Sequence, residues 1–355
     1  MLPRPWVTVC IRRSAMSRTA RPQTQKSTAR MAEVMIPELA DIALASALSL
    51  SASSLLAALL WPLLQKTVRT VTPQQHTRVL MLYALLPWVV TFWVVFLLMN
   101  PELAGALQSA HCHGDVCGPH VPDVSSASLT GAILAAAISA LLLITVLLLN
   151  RQLQRGRKRL ATVDLFSTAG DPCSDARHTL SDTHHTPDFR LIHSPLLLAW
   201  CAGLWRPRVY ISSALQQQLN HRELSLVLQH EYCHVIRRDN LRKVLLQWLT
   251  VLWLPTARRA LRAQYDLACE QLCDAYAASQ GYQADEITAV MQRLQANADA
   301  AQSAAQSTSE QRTDELQRPA SQSSADGWLL LVALLCTQVA VFSHWLHPLL
   351  DTLFL

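Results

Sequence analysis

One stretch of the chain has residue types and spacing suited to hydrolysis: His230-Glu231-Tyr232-Cys233-His234, an H-E-x-x-H pattern inside a segment of helical periodicity. Two histidines four apart stand one above the other on a helical face, so their ring nitrogens can converge on one tetrahedral cation. A carboxylate beside the first can then take a proton from water at the cation's remaining corner. Such a centre needs a third ligand, and Glu270 supplies a carboxylate within Glu270-Gln271-Leu272-Cys273-Asp274. Asp274 falls one turn further along the same face, where it can hold an imidazole by its other nitrogen. The pattern predicts one catalytic Zn2+ bound by His230, His234 and Glu270, with Glu231 as general base and Asp274 as a ligand-orienting carboxylate.

These side chains must be carried by rigid elements. Asn220 followed by Glu223 has the form of a capping box, and Leu224, Val227, Leu228 and Cys233 recur at helical spacing after it. A second helical pattern covers about 257–279 and ends near Gly281. Between them, Leu241 to Leu254 is strongly apolar, with Trp248 and Trp253, and Pro255 closes it. This stretch reads as a core helix or as one lying against a membrane. Upstream, Asp188 to Ile211 alternates apolar and polar residues, with Gly203 and Pro207 as breakers, which predicts short strands and a turn. Residues 152–187 read as a basic helix followed by a polar loop, and 296–326, mostly Ala, Gln, Ser, Thr and charged residues, as a flexible tether.

The composition is 51% hydrophobic against 15% charged, which is not that of a soluble globule. Four apolar stretches account for the excess: Ile42 to Leu64, Val79 to Met99, Leu129 to Leu149, and Leu329 to Phe342, the last extendable to Leu350. About 20 residues suffice to cross a hydrocarbon core as a helix. Lys66, Arg69 and Arg78 lie between the first two stretches, and Arg151, Arg155, Arg157, Lys158 and Arg159 follow the third. Cationic flanks stay in the cytoplasm, so both segments are expected inside. Residues 100–128 hold Glu102, Asp115 and Asp123 without Lys or Arg, as an outside loop should. The expected fold class is a mainly α membrane protein with four transmembrane helices and a cytoplasmic α+β domain between spans three and four. The expected divisions are 1–41 (N-terminal extension), 42–150 (three spans), 151–295 (zinc peptidase domain), 296–326 (linker) and 327–355 (fourth span and tail).

Residues 1–30 hold six Arg and one Lys and no acid, which opposes export of the N-terminus. A start at Met31 or Met35 would leave an acidic head, Glu33, Glu38 and Asp41 from the first and Glu38 and Asp41 from the second; the alternatives are an Arg-rich targeting segment or a cytoplasmic arm. The net charge of +5 is accounted for by this arm and the topology signal, so no nucleic-acid partner is expected. The nine cysteines do not form a disulfide framework, because most would face reducing cytosol or lipid. Cys112 and Cys117 are the exception, and with His111, His113, Asp115 and His120 they make the outside loop a small disulfide-closed loop, a zinc or copper or redox site that biases the peptidase, or a loop without a role.

Three segments together resemble the BlaR/MecR-type membrane metallopeptidases, the zinc peptidase modules of bacterial antibiotic-sensor transducers. They are Gly203-Leu204-Trp205-Arg206-Pro207-Arg208-Val209-Tyr210-Ile211, His230 to His234 running into Arg237-Arg238-Asp239-Asn240, and Glu270 to Asp274. The resemblance implies a gluzincin fold in which a strand near Val209 pairs with an extended substrate. It also implies the roles given above for His230, Glu231, His234, Glu270 and Asp274. Its implied setting is the bacterial inner membrane, with membrane lipid around the spans. Its implied substrate is a cytoplasmic transcriptional repressor or the chain itself, cut to relieve repression. The antibiotic sensors continue into a penicillin-binding domain after the fourth span, and this sequence ends at Leu355, so another stimulus is expected. Two further functions use the same residues: a housekeeping membrane protease of the HtpX or CAAX-processing kind, and a non-enzymatic transducer with structural zinc. Three spans ahead of the zinc helix speak against the first, and the presence of Glu231 speaks against the second. Tyr265 or a nearby Arg is available as an oxyanion donor.

Overall fold

Long apolar runs bury their backbone polar groups most cheaply as helices, and the computed structural model follows that rule. It describes residues 21–68, 72–100, 103, 112–113, 116–117, 129–170, 188–299, 332–333, 336–338 and 340. Three helices are long and apolar enough to cross a membrane. The first lies within α1 (Arg21–Val68), whose apolar part is Asp41–Gln65; the second is α2 (Pro73–Met99); the third lies within α3 (Leu129–Leu165). α3 continues about ten helical turns in all, carrying the basic segment after Asn150 well past the apolar run. Most of the expected fourth span lies outside the described residues. Of its helical residues, Gln338 is buried and its Oε1 accepts from Ser53 Oγ of α1 at 3.1 Å.

A two-stranded ribbon, β1 (Cys112–His113) and β2 (Val116–Cys117), lies in the expected outside loop. The main sheet comprises β3 (Ser167–Ala169), β4 (Phe189–Ile192), β5 (Ala199–Ala202) and β6 (Arg208–Ser212), in the order β3-β4-β6-β5. β4 and β6 are parallel, with Phe189 opposite Val209, and the other two pairings are antiparallel. The turn from β5 to β6 holds Gly203 at φ 110°, where a Cβ would meet the Arg206 carbonyl at 2.8 Å, so only glycine fits. Val209 is bonded on both sides, to Phe189 and to Cys201, which corrects the expectation that its strand receives substrate. Among the described residues the open edge near the helices belongs to β5.

The sheet is covered differently on its two faces because side chains alternate along a strand. Phe189, Val209 and Ile211 point into a core with Leu224, Val227 and Leu228 of α5 (His221–Arg237), Ala277 of α7 (Pro255–Ser279) and Ile287 and Val290 of α8 (Ala284–Asp299). A short α4 (Ser213–Gln218) links β6 to this layer. On the opposite face Tyr210 Oη donates to Asp164 Oδ1 at 2.6 Å, and Arg208 and Arg190 reach the same oxygen at 3.4 and 3.7 Å. Asp164 lies in the last turn of α3, so this cluster ties the third span's helix to the sheet.

A second core joins the spans to the helices beneath them. Trp61 and Leu64 of α1 and Leu80 and Tyr83 of α2 pack with Leu246 of α6 (Asp239–Leu249), Trp253, and Leu261, Tyr265 and Cys269 of α7. Trp88 Nε1 of α2 donates to the Leu249 carbonyl at 3.0 Å. The apolar stretch around Trp248 and Trp253 is therefore a core segment and a membrane-span neighbour at once. Tyr265, 1% exposed in this cluster, is a packing residue and not an oxyanion donor.

Candidate metal centre

The first half of the centre is set by α5. Asn220 Oδ1 accepts from the Glu223 backbone at 2.9 Å and Glu223 Oε2 accepts from the Asn220 backbone at 3.0 Å, so the expected capping box is present. Such a cap stabilises a helix start by about 1 kcal/mol. From this start, His230 and His234 fall on one face, with ring centroids 5.3 Å apart. His230 is buried and His234 is partly open.

The second half comes from α7, whose Leu261, Tyr265 and Cys269 face the membrane-proximal core while Ala277 enters the sheet core. Glu270 and Asp274, between these anchors, face α5. Glu270 Oε2 lies 3.4 Å from His230 Nε2, and its Oε1 lies 3.6 Å from His234 Nε2. Asp274 Oδ1 lies 3.0 Å from His230 Nδ1. His230 is thus approached by a carboxylate at each nitrogen.

His234 has the same arrangement, with Asp239, to which the motif itself assigns no role, as its partner. Asp239 Oδ2 lies 2.8 Å from His234 Nδ1. Asp239 reaches back because α5 and α6 are joined at Arg238, which has φ 53° and ψ 46°, the left-handed region. That conformation costs a non-glycine residue about 1–2 kcal/mol, and it reverses the chain sharply enough to return Asp239 to the helix it follows. Arg237 Nε donates to the same Asp239 oxygen, Oδ2, at 3.3 Å and lies 3.2 Å from the other. The signal in the sequence was an acid five residues beyond the second histidine, legible only if the helix breaks between them.

Burial alone would lower both imidazole pKa values, but the facing carboxylates outweigh it, raising His230 to about 9 and His234 to about 10. Burial would raise Glu270, yet the two imidazoles hold it well below the usual carboxylate range. Asp274 contributes most to the rise at His230 and Asp239 most to that at His234, and Glu270 adds to both.

Two donor sets are chemically possible. His230, His234 and Cys273 present ligand atoms within 4.8 Å of one another. The Cys273 sulfur, however, lies 3.4 Å from His234 Nδ1, the nitrogen already faced by Asp239. Burial pushes the Cys273 thiol pKa up, which disfavours the thiolate a metal requires. Glu270 instead faces the Nε2 atoms of both rings, and the rings' remaining nitrogens meet Asp274 and Asp239. Cys233, Cys269 and Cys273 are otherwise buried small residues, as expected.

In the two-stranded ribbon Cys112 stands opposite Cys117 and His113 opposite Val116 in backbone register. His111, Asp115 and His120 lie outside the described residues. Directly opposed positions on paired strands suit the Cα spacing of a disulfide.

Residues 120–285 match the family model described as BlaR1 peptidase M56. The match spans His230, Glu231, His234, Glu270 and Asp274 and supports the BlaR/MecR-type family to which the motifs pointed. No curated protein and no solved structure matches the chain.

Proposed function

We propose that this BlaR/MecR-type chain is a membrane-embedded zinc endopeptidase of signal-transduction type. It hydrolyses peptide bonds of a cytoplasmic transcriptional repressor or of itself, from the inner face of a bacterial cytoplasmic membrane. The observation that carries the reading is the convergence of both Nε2 atoms on Glu270 while Asp274 and Asp239 face the two Nδ1 atoms. Two imidazoles, one carboxylate and an open fourth corner form the donor set of a catalytic zinc, and carboxylate-supported histidines are its usual surround.

His230, His234 and Glu270 would hold one Zn2+, which when bound supplies Lewis acidity toward a peptide carbonyl and toward water. Asp274 and Asp239 face the two Nδ1 atoms and would keep a proton there, leaving each Nε2 to the metal once its own proton is displaced. Arg237 keeps Asp239 in place. Glu231, next to His230 on the helix, accepts the proton of the attacking water and returns it to the leaving amine. The packing of α7 against α1 and α2 supports a signalling role, since a shift of the spans acts on the helix that carries Glu270 and Asp274.

The test compares newly exposed N-termini in cells carrying the wild type with those carrying Glu231→Gln, a change that keeps the metal ligands and removes the base. Disappearance of one cytoplasmic cut fragment is expected. Broad stabilisation of membrane proteins would replace signalling by quality control, and identical profiles would end the peptidase reading.

A further inference from the structure

Beside the metal centre a cavity of about 710 Å³ opens between the cytoplasmic end of α3, the β5–β6 turn and α6. Its volume falls within the roughly 300–1,000 Å³ range of ligand sites. Three observations relate it to the centre. Cys201 and Ala202, the last residues of β5, form part of its wall. Asn240, the neighbour of Asp239, donates from Nδ2 to the Cys201 carbonyl at 2.9 Å, fixing that strand to the turn that holds His234. Lys243, also in the wall, binds Asp266 of α7 at 3.1 Å, one turn before Glu270. β5 is paired with β6 on one side, and among the described residues no strand bonds its other side.

The wall has a distinct chemistry. It is largely apolar, with Trp205 and Trp248 among its residues, yet Arg157, Arg159 and Arg206 also line it and no Asp or Glu does. None of these arginines pairs with an acid among the described residues, and Trp205 at the rim is 65% exposed. An exposed tryptophan beside unpaired arginines is an unusual surface to leave in water, and aromatic and Arg side chains are the residues that dominate recognition sites.

We propose that this cavity selects the substrate: it receives an extended peptide segment that aligns with the open edge of β5 and carries acidic side chains interleaved with large apolar ones. The arginines take the carboxylates, the tryptophans take the apolar residues, and added main-chain hydrogen bonds along β5 hold the segment beside Glu231. This rests on the peptidase reading above and names the class of sequence it would cut. The same basic and apolar character would also fit an anionic lipid headgroup; continuity with the β5 edge and with the turn at Asp239 favours the peptide.

The test uses the full-length, zinc-loaded chain in nanodiscs, with Glu231→Gln to prevent turnover. Two labelled peptides serve as probes, one with two Asp among Leu and Phe and one with both Asp replaced by Lys. Fluorescence anisotropy is expected to show the Asp peptide binding about tenfold tighter, and Arg157→Glu with Arg206→Glu to invert the preference. Both positions are exposed, so unchanged zinc content and thermal unfolding are expected of the variant. Trp205→Ala should weaken both peptides alike. Equal binding of the two peptides, or equal loss of both on charge reversal, overturns the proposal. Displacement of the Asp peptide by anionic but not zwitterionic nanodisc lipid makes the cavity a headgroup site and also overturns it. Selective binding without cleavage of the Asp peptide by the wild type would leave the cavity assignment standing and count against the peptidase reading.

Discussion

The two histidines of the centre are held in the same way by parts of the molecule that differ in origin. His230 is buried, and the acid at its Nδ1 is Asp274, delivered by another helix. His234 is more open, and the acid at its Nδ1 is Asp239, five residues further along the chain and returned by the left-handed turn at Arg238. One half of the site therefore depends on helix packing and the other on a local reversal. Geometry that a metal needs can come from either source, but the two should fail differently.

Removing the group common to both halves is expected to have the largest effect. Glu270→Ala should reduce hydrolysis to background and leave purified protein with well under one zinc per chain by elemental analysis. Glu231→Gln should lower kcat by about 10²–10⁴-fold while zinc stoichiometry stays near one, since only the base is lost.

Acidity sharpens the comparison next. Both rings are protonated in the metal-free centre below about 9 and 10, so zinc must displace protons from both at neutral pH. Zinc affinity should fall as pH is lowered, by up to about 100-fold per unit where two protons compete, measured by chelator competition. The metal-free fold should show the opposite trend. Histidine pKa values raised above 6.5 contribute stability that is fully present below 6.5 and lost as pH rises through 9–10. Glu270, depressed below 4.5, contributes stability above 4.5 that is lost on further acidification. Thermal unfolding in a chelator should therefore peak between these limits, and a peak at alkaline pH would contradict the carboxylate pairing.

Asp274→Asn and Asp239→Asn should each weaken zinc binding about 10–100-fold. Their couplings should differ. Arg237→Ala should be non-additive with Asp239→Asn by about 0.5–3 kcal/mol and additive with Asp274→Asn in a double-mutant cycle. Equal coupling to both would merge the two halves. The smallest effect is expected at the turn. Arg238→Gly should leave stability unchanged or raise it by about 0.5 kcal/mol, while Arg238→Val should lower it by about 1 kcal/mol or more, read from denaturant unfolding.

Much of this architecture was legible in the residues. The apolar runs behind α1, α2 and α3, the capping box at Asn220 and the break at Gly203 are local or periodic signals, and each recurs in the structure. What could not be read were relations between elements. The strand at Val209 looked like the substrate's neighbour until its two partners were known. Tyr265 looked available for chemistry until Tyr83 and Trp253 enclosed it. Asp239 could not be assigned while the helix holding His234 was free to continue past it.

By itself the sequence pointed to the side chains that could bind a metal and to four apolar stretches, three of which are helices long enough to cross a membrane among the described residues, because residue chemistry and helical period are properties of single segments. Tertiary structure alone decided which acid serves which imidazole and which strand edge stays open, and it placed α7 against the spans. Those outcomes depend on distances across elements, and no periodicity within one segment encodes the distance to another.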